Sequence, residues 1–260
     1  MKLHVLVLSS VLIVLSWVGN LVYYQQLQLS KPLFMKHYYD ITVLNGQTFG
    51  IYYLANKTLD IDVSHIELPE APDARITTLG HLKSEYTHQV LKEFNVAFHE
   101  GSQEAWREKG DVVITHINVY YTDGTSESVD IGEIHLRSPM NWSRKLEFQS
   151  GGGSSDGTGF YSQRALEDVM VTGIAHHFQQ LLTDILQLEL TVPGYNSAEV
   201  KDIPFPILLK KNDTVYLRYA WDNRFSTRGP ANILTKIYAK PSDVAGSAFF
   251  LTLSPIVRVT

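Results

Sequence analysis

The chain has 260 residues and no cysteine, so disulfides, thiolate metal sites and cysteine nucleophiles are excluded. Its formal charge is −5, from 27 acidic side chains against 22 of Lys and Arg, and no basic cluster interrupts it. A nucleic-acid backbone therefore finds no electrostatic footprint here, while a hydrophobic share of 44% suffices to fill one large core or two ordinary ones.

From Val5 through Ser30 no charged side chain occurs, and Val5–Tyr24 is almost wholly apolar. A helix of about 20 residues, rising roughly 1.5 Å per residue, spans a hydrocarbon layer of about 30 Å. Within lipid only a helix or a closed barrel satisfies its own backbone, so residues 5–24 are expected to anchor the chain in a bilayer, with Tyr23 and Tyr24 at the interface. A cleavable signal peptide is the rival reading, with a cut after Ser16; Trp17 and the apolar run to Val22 speak against it. Lys2 faces Lys31 and Lys36 across the span, which orients it weakly, so the default is a long C-terminal part on the extracytoplasmic side. Gly19 and Asn20 would allow close helix packing in the bilayer, as in a subunit of a membrane complex.

Residues 25–36 read as a polar neck, and β-patterned segments follow it from 37 to 149. His37–Leu44 and Gln47–Ala55 flank Asn45-Gly46, the strongest short hairpin signal, and Leu59–Leu68 alternates until Pro69. Arg75–Leu79 is a further short strand. Glu85–Phe98 fits a strand with Tyr86, Val90, Phe94, Val96 and Phe98 on one face better than it fits a helix. Asp111–Arg137 predicts a hairpin through Thr122-Asp123-Gly124, with Gly124 left-handed, Tyr121 opposite Thr125 and Ile117 opposite Val129. The apolar phase then slips between Val129–Ile131 and Ile134–Leu136, which one residue bulged at Gly132 would restore.

Ser150–Gly159 (SGGGSSDGTG) has five glycines and no apolar residue, and reads as a linker or loop dividing the chain. Residues 160–260 continue in strands: 168–178, 185–192, 203–210, 214–221, 233–239 and 248–260. Pro204 and Pro206 confine one segment to an edge or a strand entrance, and Leu166–Leu190 has partly helical spacing. Thr48–Tyr53 (TFGIYY) echoes Thr214–Tyr219 (TVYLRY). The expected fold is mainly β: an N-terminal transmembrane helix followed by two immunoglobulin-like β-sandwich domains, or alternatively one large jelly-roll-like sandwich.

The ten histidines form no recognised metal pattern. His81, His88 and His99 lack ligand spacing, no HExxH occurs, and His176 and His177 point to opposite faces of a strand. His88 fits a core position. His116 should sit across from Asp130 on an outer face, a pairing that is ordinarily a solvated surface contact. The glycine run lacks a P-loop lysine, no GxSxG or SxxK appears, and Asp123, Asp130 and Glu133 depart from calcium-loop spacing. Sequons occur at Asn56, Asn141 and Asn212; one or two would arise by chance, so they carry little weight. One loop has the composition of a recognition surface: Trp221, Asp222, Asn223, Arg224 and Phe225 could stack on and hydrogen-bond a sugar or anchor a protein. The plainer account has Trp221 ending a strand and plugging the core.

The apolar anchor, the β-rich body, the missing cysteine and the hairpin TDGTSESVDIGEI together resemble membrane-tethered proteins of Gram-positive bacteria. No activity follows from that resemblance. No cofactor, metal ligand or catalytic residue is assigned from sequence. The expectation is a non-enzymatic, membrane-tethered binding or structural module of a bacterial envelope, whose partners are the lipid bilayer and an envelope polymer or protein. The alternative is an envelope hydrolase or other enzyme with a site assembled from distant His and Asp residues.

Overall fold

A computed structural model describes residues 2–44, 47–58, 61–78, 84–99, 102–138, 145–154, 156–183, 185–222, 231–241 and 251–252. Helix α1 (Lys2–Gln26) leads to β1 (Leu33–Phe34), β2 (Lys36–Thr42), β3 (Thr48–Asn56), β4 (Val63–Glu67), β5 (Arg75–Thr78), β6 (Ser84–Glu85) and β7 (Gln89–Ala97). After α2 (Ser102–Lys109) come β8 (Val112–Tyr121) and β9 (Ser126–Arg137). The remainder comprises β10 (Leu146–Gly153), β11 (Thr158–Ala165), β12 (Val169–His176), α3 (Gln179–Leu182), β13 (Leu186–Thr191), β14 (Ala198–Glu199), β15 (Ile207–Leu209), β16 (Thr214–Trp221), β17 (Ala231–Leu234), β18 (Lys236–Pro241) and β19 (Leu251–Thr252).

Within α1, Val7–Gln26 is long and apolar enough to cross a membrane, and none of that window is buried against the rest of the chain. The neck is less free than its polarity suggests. Asn56 grips the backbone of Leu29 with both ends of its amide, at 2.9 and 2.8 Å, and Gln89 donates to the Leu27 carbonyl at 2.6 Å. Asn56 is consequently buried with both ends of its amide occupied.

A first core lies between two sheets. One has the order β1-β3-β7-β5, with β6 also on β7; the other runs β17-β2-β9-β8-β4. Alternate residues of β3 (Phe49, Ile51, Tyr53) and β7 (Phe94, Val96) meet those of β2 (Tyr39, Ile41), β8 (Ile117, Val119) and β9 (Ile131, Ile134, Leu136). Period-2 patterning thus predicts the inner faces, and β7 settles the ambiguous segment as a strand. The pairing expected across Asn45-Gly46 is corrected, although the turn itself lies outside the described residues. β2 pairs in parallel with β9 while β3 pairs with β1 and β7, so the two strands face each other across the core instead of lying side by side. Helix α2 was not foreseen; it buries Trp106 edge-on against Phe98, with Lys109 over the indole.

The β8–β9 hairpin has Gly124 at φ +83°, Tyr121 bonded to Thr125 and Ile117 opposite Val129, as its turn chemistry requires. The bulge is at Gly132, at φ +91°, but it is larger than expected. Between the pairs Ile114–Ile134 and His116–Asp130, the residues Ile131, Gly132 and Glu133 face Thr115 alone. Gly132 also abuts β2, where a Cβ would stand 2.7 Å from the His37 carbonyl oxygen.

A second core lies between the sheets β10-β11-β16-β13-β14 and β15-β12-β18-β19. The glycine-rich linker expected at 150–159 is corrected: Ser150–Gly153 ends β10 and pairs with β11. These glycines stay exposed and join the sheet through backbone pairing, with aromatic rings standing beside them. A Cβ on Gly151 would stand 2.9 Å from the Tyr161 ring, and one on Gly159 would stand 2.3 Å from Tyr219. β15 follows Pro206 as an edge strand, as the prolines require.

One strand joins the two bodies. β17 adds in parallel to β2, and after Thr235 the chain continues as β18 against β12. Ile233 enters the second core while its neighbour Leu234 packs on the first. Tyr38 of β2 meets Phe178 edge-on at 5.8 Å across the same junction.

Candidate functional site

Residues 133, 135 and 137 alternate with the core residues Ile134 and Leu136, so β9 turns them together toward the second body. There they meet His177, which follows the last residue of β12. The Nε2 atoms of His135 and His177 are 2.9 Å apart, and Glu133 Oε2 is 3.1 Å from His135 Nε2. All three ligand atoms lie within 4.8 Å of one another. His135 is 8% exposed, whereas Glu133 and His177 reach solvent, so the cluster is anchored within and open without.

Arg137 organises the inner side. Its Nε donates to Asp40 Oδ1 at 3.1 Å, its Nη1 to Asp111 Oδ2 at 2.7 Å and its Nη2 to His177 Nδ1 at 2.8 Å. Burial would raise the Asp111 carboxyl, but the Arg137 hydrogen bond and the Ser138 N–H outweigh it and hold the group below its usual range. Burial, then the neighbouring His135 and Arg137, lower the pKa of His177. Lys236, at the start of β18, hydrogen-bonds Thr42. Burial drives it down to about 8 against the pull of Asp40.

Most side chains singled out from sequence lie elsewhere. His116 does face Asp130, but Asp130 is held by Lys36 at 2.8 Å and by the Gly132 N–H at 2.8 Å, which makes the pair an exposed surface contact. His88 is half-buried at the helix end, edge-on to Tyr24, and not in the core; His99 is exposed and His81 lies outside the described residues. Asp123 caps its own turn by accepting from Thr125. Trp221 ends β16 half-buried against the second core, and Asp222 donates its N–H to the Ile185 carbonyl. Asn223, Arg224 and Phe225 lie outside the described residues.

No sequence signal singled out His135. Its alternation with Glu133 and Arg137 was legible, but its partner His177 is 42 residues away and comes from another sheet. Chemically the cluster offers two imidazoles and a carboxylate converging on one point, backed by a cation fixed between two acids. Comparison with protein-family models and with curated proteins finds no match for this chain.

Proposed function

We propose that the chain is a membrane-tethered, extracytoplasmic binding module of a bacterial envelope, in which α1 holds two β-sandwiches outside the bilayer. The strand orders support the immunoglobulin-like part of this reading for the first body. Taken in chain order, β1-β3-β7-β5 corresponds to A-B-E-D and β4-β8-β9 to C-F-G. The second body is a sandwich of different order.

The observation that carries the binding role is a groove of about 500 Å³ on the sheet containing β11, β16 and β13, lined by Phe160, Gln187, Glu189, Arg218 and Glu199. An exposed aromatic ring among two acids, an amide and a guanidinium suits a hydroxyl-rich polymer such as a wall glycan. The groove includes Thr158 and Ala220, the latter next to Trp221, whose N–H donates to the Gly157 carbonyl. The full chain in detergent micelles should co-sediment with purified wall glycan. Phe160→Ala and Arg218→Ala should each weaken retention by roughly tenfold. Equal retention of the wild type and both variants would discard the groove.

The enzyme reading draws on the convergence of Glu133, His135 and His177. It would displace the binding reading if the same sedimentation assay released soluble glycan fragments with the wild type and not with His135→Gln.

A further inference from the structure

We propose that Glu133, His135 and His177 form a three-ligand site for a divalent transition-metal ion, zinc by the nature of its donors, that staples the first sandwich to the second. The donor set is two imidazole nitrogens and one carboxylate oxygen, and three protein ligands leave coordination open to water. In a tetrahedral zinc shell, ligand atoms about 2.05 Å from the metal lie roughly 3.3 Å from one another. Two of the three spacings, 2.9 Å and 3.1 Å, lie within a few tenths of an ångström of that value, and the third, between Glu133 and His177, is no more than 4.8 Å.

Hydrogen positions make a stronger case than distance does. Arg137 can only donate, so its contact with Nδ1 of His177 places the proton of the neutral ring on Nε2, where it points at Nε2 of His135. His135 Nε2 then accepts from His177, and Glu133 Oε2 stands 3.1 Å from the same nitrogen, so one atom faces both partners. Three ligand atoms crowded on one point, one of them a carboxylate oxygen, suit a positive charge, which a metal ion at their centre supplies. The surrounding charge is permissive, because Asp40 and Asp111 accompany the Arg137 guanidinium. Metal binding moves the His177 proton from Nε2 to Nδ1, so Arg137 leaves that nitrogen while keeping its two carboxylates. The exposure of Glu133 and His177 gives the ion a way in.

The test uses the full chain, without a histidine tag, in detergent, stripped with EDTA, dialysed and titrated with Zn²⁺. We expect one zinc per chain and a zinc-dependent rise in melting temperature. His177→Gln and Glu133→Gln should each weaken binding by at least about tenfold, while His116→Gln leaves it unchanged. The Glu133 side chain is 52% exposed, so its glutamine variant should melt like the wild type in metal-free buffer and keeps the test valid if a histidine variant folds poorly. Zinc binding no tighter in the wild type than in Glu133→Gln, or undiminished in both ligand variants, would overturn the proposal.

Discussion

Gly124 and Gly132 have nearly the same backbone, at φ +83° and +91°, yet their surroundings differ. Nothing lies within 4 Å of a Cβ built on Gly124, so Gly124→Ala should cost only left-handed strain, about 1 kcal/mol. A Cβ on Gly132 would meet the His37 backbone oxygen at 2.7 Å, so Gly132→Ala should cost about 3 kcal/mol or more, because a backbone cannot step aside as a side chain does. Urea unfolding of the two variants measures the difference, and equal losses would mean that the bulge is not confined by β2. His37 itself is fully buried, and its Nε2 accepts the Tyr52 N–H at 2.9 Å. Burial lowers its pKa to about 3, with the Ile131 and Met35 carbonyls only partly opposing. A histidine depressed in the fold binds its proton more readily once unfolded, so stability should fall as pH drops from 6.5 toward 4. The loss attributable to His37 is about 2–3 kcal/mol over that window. His176 and His177, also lowered by burial, act in the same direction, so the contribution is isolated by comparison with His37→Gln. That variant should flatten the acid limb; an unchanged slope would contradict the assignment.

At the scale of elements, what was legible follows from local rules and what was not follows from pairing. The Thr122-Asp123-Gly124 turn, the strand at β7 and the edge position of β15 each rest on a side-chain period or a backbone restriction that the residues carry themselves. The bulge position was legible because Ile131 and Ile134 both had to face inward. Its size was not, because that depends on how closely β2 runs beside Gly132. Asn45-Gly46 misled for a related reason: a tight turn is equally suited to a corner between sheets, and the parallel partner β9 claims the edge of β2. Gly151–Gly153 carry no side chains and stay exposed, and their place in the sheet comes from backbone pairing with β11 that composition does not show. Tyr161 and Tyr219 stand beside the glycines from β11 and β16, a proximity that arises only once those strands are paired. The candidate site divides in the same way, since Glu133-x-His135-x-Arg137 shares a face by period 2, while His177 arrives by tertiary packing alone.

For the molecule as a whole, the consequence of β17 is mechanical. Its backbone belongs to the sheet of the first body, its Ile233 side chain to the core of the second, and the next residues continue into β18 beside β12. One body therefore cannot unfold without stripping a strand from the other's surface. The polar contacts at the same junction, Arg137 with His177 and His135 with His177, break in the same event. Local unfolding of either sandwich alone would expose Ile233 or leave β2 without its outer partner, so the two cores should behave as one cooperative unit. Trp106, fully buried in the first core, and Trp221, packed against the second, report the two bodies separately in two chains that each keep one of them and carry Phe at the other three of the four tryptophan positions, Trp17 and Trp142 included. Their fluorescence transitions in urea should coincide. Ile233→Ala, which opens a cavity in the second core, should cost about 2–4 kcal/mol and move both midpoints together. Two separated transitions in the unsubstituted junction, or an Ile233→Ala shift confined to the Trp221 signal, would show that β17 lies on the first sandwich without coupling it to the second.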